Sequence, residues 1–137
     1  MKVTRCNGKE GVDEVIHINY LHVGDVVHLK YGMMIPVDGL VISCNQLHTD
    51  EAAMTGESDE RRKETIDTCL KARAEKGEID YKKIDKTESH ALPSPLLLSG
   101  TSVATGDGKM LVVMVGENSA LGEIMSKLET RPQATPL

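Results

Sequence analysis

Apolar residues in this chain come in short alternating runs separated by glycine- and proline-bearing turns, and that pattern leaves little room for anything but a β-rich fold. Ile16, Ile18 and Tyr20 alternate with His17, Asn19 and Leu21, a period of two that predicts a strand. Val26-Val27-His28-Leu29 and Leu40-Val41-Ile42 are further short β-branched runs, set apart by Gly24-Asp25, Gly32 and the span from Pro36 to Gly39. Leu96-Leu97-Leu98 and residues 110–115 are continuous apolar stretches, as in strands buried on both faces. Many short strands with glycine turns predict a mainly β body, a sandwich or distorted barrel.

Near the end the period changes. Leu121, Ile124, Met125 and Leu128 fall on one face of a helix. Asn118 or Ser119 is its expected N-cap and Pro132 its stop. Residues 132–137 then read as a tether, and residues 1–11 as a flexible leader to the domain.

A chain of 137 residues suffices for one domain with a real core, and no run of about 18 apolar residues spans a bilayer. The start Met1-Lys2-Val3-Thr4-Arg5 lacks the apolar stretch of a signal peptide. There is no Phe or Trp and only Tyr20, Tyr31 and Tyr81, so stacking on nucleic-acid bases is a poor hypothesis. The core has to be built from Val, Ile, Leu and Met. Cys6, Cys44 and Cys69 form no C-x-x-C pair and read as reduced thiols. His17, His22, His28, His48 and His90 supply no H-x-x-x-H spacing, and the first three read as half-exposed strand residues. No metal or cofactor site is therefore expected in the chain.

Residues 60–88 interrupt the pattern with nine basic and eight acidic side chains, netting about +1 in a chain of net charge −5. Ile66, Cys69 and Leu70 give a thin apolar stripe, which predicts a short helix from about Glu60 to Lys76, ended by Gly77; the remainder reads as disordered. Residues 60–94 are accordingly expected to be an insertion: a solvated loop, or a regulatory segment with Thr65, Thr68, Thr87 and Ser89 as candidate phosphate acceptors.

The stretch richest in chemistry is Asp50-Glu51-Ala52-Ala53-Met54-Thr55-Gly56-Glu57-Ser58. A carboxylate directly follows a glycine, which adopts positive φ or admits close approach without strain. Thr55 and Ser58 can hold the turn by side-chain to backbone hydrogen bonds, and Asp50 and Glu51 can fix its entry. Asp25 and Asp38 stand beside turn glycines, where a structural role is the stronger reading.

Thr55-Gly56-Glu57-Ser58 resembles the signature loop of P-type ATPase actuator domains. The flanking blocks follow in the same order: Val23-Gly24-Asp25-Val26, Ile35-Pro36-Val37-Asp38-Gly39, Leu98-Ser99-Gly100-Thr101-Ser102-Val103, and Val115-Gly116-Glu117-Asn118-Ser119. The Asp-Glu-x-x-x-Thr-Gly-Glu-Ser-Asp form is most similar to calcium pumps of the plasma-membrane type. The resemblance covers about residues 12–59 and 95–131 and implies a distorted jelly roll, or double-stranded β-helix, over residues 12–131. It implies that Glu57 positions the water that hydrolyses an aspartyl-phosphate, with Thr55, Gly56 and Ser58 supporting the loop. ATP and Mg²⁺ would belong to the full pump and not to this piece. The implied partners are the phosphorylation and nucleotide-binding domains of the same chain, and membrane helices reached through tethers. The implied setting is cytosolic, on a plasma membrane or an internal calcium-storing membrane, with the isolated piece a non-catalytic monomer that binds no nucleic acid.

Three alternatives stay open: the same domain from a pump for another cation, a β-barrel binding module, and a jelly-roll metalloenzyme, for which no His and carboxylate cluster is visible. Asp85-Lys86-Thr87-Glu88 resembles the start of the phosphorylation motif of these pumps, Asp-Lys-Thr-Gly-Thr. There Glu88 puts negative charge where a phosphate must sit, and no buried strand precedes Asp85.

Overall fold

The computed structural model describes residues 1–6, 10–76 and 92–129. The mainly β expectation is met: seven strands form one sheet, followed by a helix at the C-terminal end. They are β1 (Lys2–Cys6), β2 (Gly11–Val15), β3 (Val26–Leu29), β4 (Asp38–Asp50), β5 (Glu60–Arg62), β6 (Leu96–Leu97) and β7 (Ser102–Met114). Among the described residues the α-helices are α1 (Ala52–Thr55), α2 (Ile66–Glu75) and α3 (Ala120–Glu129). The strand order is β2-β1-β3-β7-β4-β5, with β6 also on β4.

The spine is the antiparallel pair β4 and β7, each 13 residues long. Its register places Val41 opposite Met110 and Thr49 opposite Val103, and slips at four points between Asp38 and Thr49. Such bulges bend a strand and raise its twist. They also break the period of two, which is why only Leu40-Val41-Ile42 stands out as a strand in a segment more than three times as long. Inside the bend Val3, Val27, Leu29, Ile35, Val41, Leu47, Leu97, Val103, Met110 and Val112 make an aliphatic core.

Four local expectations are corrected. Residues 16–20 do not continue a strand: the chain pairs earlier, at Gly11–Val15, and Ile18–Tyr20 form a 3₁₀ turn in which the His17 ring accepts from the Asn19 amide. Ile18 and Tyr20 are exposed, so their alternation marks no buried face. The N-terminal segment, expected to be loose, contributes β1, whose Val3 is fully buried opposite Val27. The apolar runs at 96–98 and 110–115 are covered on one face only: Leu97, Met110 and Val112 are inside, while Leu96, Val113 and Met114 are exposed. Finally, the helix expected from Glu60 starts at Ile66, because Glu60–Arg62 pair with His48–Asp50 as β5. Residues 77–91 and 130–137, which include Asp85, Thr87, Ser89 and the tether, lie outside the described residues.

At the C-terminal end Ser119 is the cap. Its Oγ accepts from the Gly122 amide at 3.2 Å. Asp38 Oδ2 accepts from the Ala120 amide at 2.7 Å and Ser99 Oγ from the Leu121 amide at 2.9 Å. The first helical N–H groups, which have no partner inside a helix, are thus all satisfied. Gly122 allows α3 to sit this close: a Cβ there would stand 2.0 Å from the Gly116 carbonyl oxygen.

Candidate functional site

The Thr55–Ser58 loop follows the end of β4. β4 ends at the exposed Asp50, Glu51 follows with its side chain buried, and α1 is a single turn that reverses the chain. The Glu51 carbonyl is its hub. It accepts from the Met54 amide at 3.0 Å, the Thr55 amide at 2.9 Å and the Thr55 hydroxyl at 2.9 Å. Asp50 Oδ1 accepts from the Ala52 amide at 2.9 Å and closes the entry.

Gly56 then leaves the helix with φ 75° and ψ 0°, its amide donating to the Ala52 carbonyl. No atom stands within 4 Å of where its Cβ would be, so glycine is demanded here by the left-handed backbone and not by crowding. The Thr55 hydroxyl has a second task, accepting from the Glu57 amide at 3.3 Å. Thr55, Gly56 and Ser58 are exposed, and Glu57 is half-buried at the point of the turn. One short loop therefore presents all four residues at the surface of a rigid sheet.

Beneath it lies a feature with no counterpart in the sequence reading. Lys63, assigned there to the solvated charged stretch, is 2% exposed and ranks among the most deeply buried side chains of the described residues. Its Nζ donates to Glu51 Oε1 in a close ion pair and to the Leu96 carbonyl at 2.7 Å. Thr49 Oγ1 donates to the same carboxylate oxygen at 3.2 Å. Burial pushes the Lys63 ammonium pKa down, and the hydrogen bond and charge of Glu51 oppose that. Hydropathy could not have found this lysine: Glu60, Arg61, Arg62 and Lys63 put charge on both faces of β5 and its extension.

The remaining candidates are dispersed. Asp25 is held by Arg5 and Asp38 caps α3, both structural tasks. Cys44 and Cys69 flank Glu64, and burial raises both thiols, Cys44 to about 11, which keeps them protonated. Among the described residues no group of three or more His, Cys, Asp or Glu could hold a metal ion, and no helix is long and apolar enough to cross a membrane.

Three comparisons with known proteins bear on this geometry. A solved zinc-transporting PIB-type ATPase in an E2.Pi state superposes on 99% of this chain, using 18% of its own, with a TM-score of 0.57 and 21% identity, which shows a shared fold. Calcium-transporting ATPase 2 of Schizosaccharomyces pombe is 39% identical over 117 residues, covering 85% of this chain. Human plasma membrane calcium-transporting ATPase 3 is 39% identical over 108 residues, covering 79%. The chain spans only 8% and 7% of the lengths of these two relatives. The family model for the P-type ATPase actuator domain matches residues 1–129, essentially all that the structure describes. With strands, capped helix and exposed loop in place across that whole span, the chain belongs to the P-type ATPase actuator domain family.

Proposed function

We propose that this chain is the cytosolic actuator domain of an ATP-driven calcium pump, and that Glu57 orients the water that hydrolyses an aspartyl-phosphate carried on another domain of the same polypeptide. The observation that carries the reading is the loop itself: an acidic side chain at its point, and a base tied to the Glu51 carbonyl by two backbone amides and the Thr55 hydroxyl. Its calcium assignment draws on relatives named as calcium-transporting ATPases.

Hydrolysis of an acyl phosphate needs a water in line with phosphorus and a group to accept its hydrogen bond or proton. A carboxylate ionised at neutral pH does this. Thr55 fixes the Glu57 backbone, Gly56 lets the chain turn outward, and Ser58 completes the loop's exposed face. The carboxylate must stay away until the transported ion has left. A separate rigid body achieves that by rotating in and out, so that its movement links phosphate chemistry to ion gates through tethers to the membrane helices. ATP and Mg²⁺ would be held by the phosphorylation and nucleotide-binding domains, and this domain would contribute no ligand to them. The membrane would be a plasma membrane or an internal calcium store.

The test is Glu57→Gln in the full-length protein. Phosphoenzyme should still form from ATP in a calcium-dependent manner, while its decay after a chase slows by about 10²–10⁴-fold. Native decay would remove Glu57 from the mechanism, and calcium-independent phosphorylation would remove the calcium assignment.

A further inference from the structure

A lysine and a glutamate buried against each other, Lys63 at 2% and Glu51 at 6% exposure, need an account. Apolar side chains of the same volume commonly match or exceed the stability of a buried ion pair. What a buried pair supplies beyond volume is direction. Here the directions are fully specified: Lys63 Nζ is held by the Leu96 carbonyl of β6, and the Glu51 carboxylate by Lys63 and by Thr49 of β4. Glu51 is also the residue whose carbonyl gathers Met54, Thr55 and the Thr55 hydroxyl, and that hydroxyl holds the Glu57 amide. An unbroken chain of contacts thus runs from β6, through Lys63 and Glu51, to the backbone of Glu57. Lys63 itself is fixed, its amide donating to the Leu47 carbonyl at 2.8 Å.

We propose that Lys63 is a positioning residue for the hydrolytic loop, acting through Glu51 to fix where Glu57 stands when the loop meets the phosphorylated domain. This rests on the reading of Glu57 given above. Lys63 touches no reacting atom. It converts a one-turn helix, too short to be stable alone, into a rigid mount. Misplacing a reacting group by about 1 Å can cost about 10²-fold in rate, so a loop that merely loosens is enough to slow the reaction.

The experiment uses the full-length membrane protein and follows phosphoenzyme formation from ATP and its decay after a chase. Four variants are compared: Glu57→Gln, Lys63→Met, the two combined, and Glu51→Leu with Lys63→Met. Lys63→Met should slow decay by about 10–100-fold while phosphorylation persists. Combined with Glu57→Gln it should slow decay no further, since a mount matters only while the group it carries works; effects through a shared partner do not add. The Glu51→Leu and Lys63→Met pair restores volume without direction, so its decay should stay slow, and it carries the test if Lys63→Met does not fold. Native decay in the charge-free pair, or in Lys63→Met, would overturn the proposal and leave Lys63 as filling. Slowing that multiplies with that of Glu57→Gln would overturn it too. If Glu57→Gln itself decays at the native rate, the functional reading falls and this inference with it. A slow Glu57→Gln beside a native Lys63→Met sinks the inference alone.

Discussion

Two of the acid–base pairs in this domain are built for different ends. Arg5 and Asp25 meet at the margin of the sheet, Nε to Oδ1 at 3.0 Å and Nη2 to Oδ2 at 2.9 Å, a fork on a carboxylate. The Asp25 carboxylate also accepts from the His22 amide, and Arg5 reaches the Tyr20 carbonyl, so β1 is laced to the segment leading into β3. The Arg5 side chain keeps 22% of its surface in water. Lys63 and Glu51 keep 2% and 8%. The marginal pair ties two pieces of chain together while the cation keeps part of its surface in water. The interior pair gives up that hydration and ties down one loop. A domain needing only stability would have little use for the second.

The sharpest way to break the comparison is to remove one member of the interior pair. Lys63→Met strands the Glu51 carboxylate and should cost about 3–5 kcal/mol, read as a fall in the urea midpoint of the 137-residue chain. Glu51→Leu combined with Lys63→Met should recover most of that loss, because no charge is then buried. If the single change cost under about 1 kcal/mol, below what a stranded charge costs, the interior pair would be energetically equivalent to a surface one.

Asp25→Asn should cost less than Lys63→Met, since water can reach Arg5 once its partner is neutral. Its clearer signature is in pH. The Arg5 hydrogen bond, with help from the His22 amide, holds the Asp25 pKa below its ordinary value. A depressed folded-state pKa contributes stability that is complete above the unfolded carboxylate value, about 3.9, and is lost as pH falls through the lower folded value. The native chain should therefore lose more stability between pH 5 and 3 (an interval bracketing about 3.9) than Asp25→Asn does. Some acid sensitivity should remain in the variant, because Lys2 and Thr4 bring Asp13 to about 2. Identical pH slopes would show that the fork on Asp25 adds nothing.

These contrasts mark what could be read before the fold was known. The β class, the helix α3, a cap at Asn118 or Ser119 and the order of motif blocks were legible, because each is local: a period, a cap, a glycine; the apolar stripe of α3, Leu121, Ile124, Met125 and Leu128, stays exposed. The loop residues were legible for the same reason, although the hydroxyl of Thr55 bonding both Glu51 and Glu57 was visible only as a possibility. Lys63 was not legible. Its burial is decided by β5 pairing with β4 and by a carbonyl 33 residues away, and its neighbours are as charged as it is. β1 was missed for a related reason: a strand carrying Lys2, Thr4 and Arg5 shows one apolar anchor, Val3, and its register comes from partners elsewhere. The bulges in β4 hid most of that strand by shifting the alternation on which the reading relies.

The smallest effect expected is at α3, which is held at its start without an ion pair. Three amides in sequence, Ala120, Leu121 and Gly122, find acceptors from three parts of the chain: Asp38, Ser99 and Ser119. Ser119→Ala removes only the last of these and the bond from its hydroxyl to the Gly116 carbonyl at 2.7 Å. Loss of a serine N-cap costs about 1 kcal/mol, and with Ser119 buried the value should fall in the upper half of the usual range. Ser119→Asn, which keeps an acceptor at the cap, should recover part of it. Amide exchange should quicken at Gly122 and leave Met110, in the middle of β7, unchanged, because fraying of one helix end is a local opening. The same loss from Ser119→Ala as from Lys63→Met, with exchange rising across the sheet, would place the weak point of the domain at the helix and not beneath the loop. That result would reverse the ranking of its two ends.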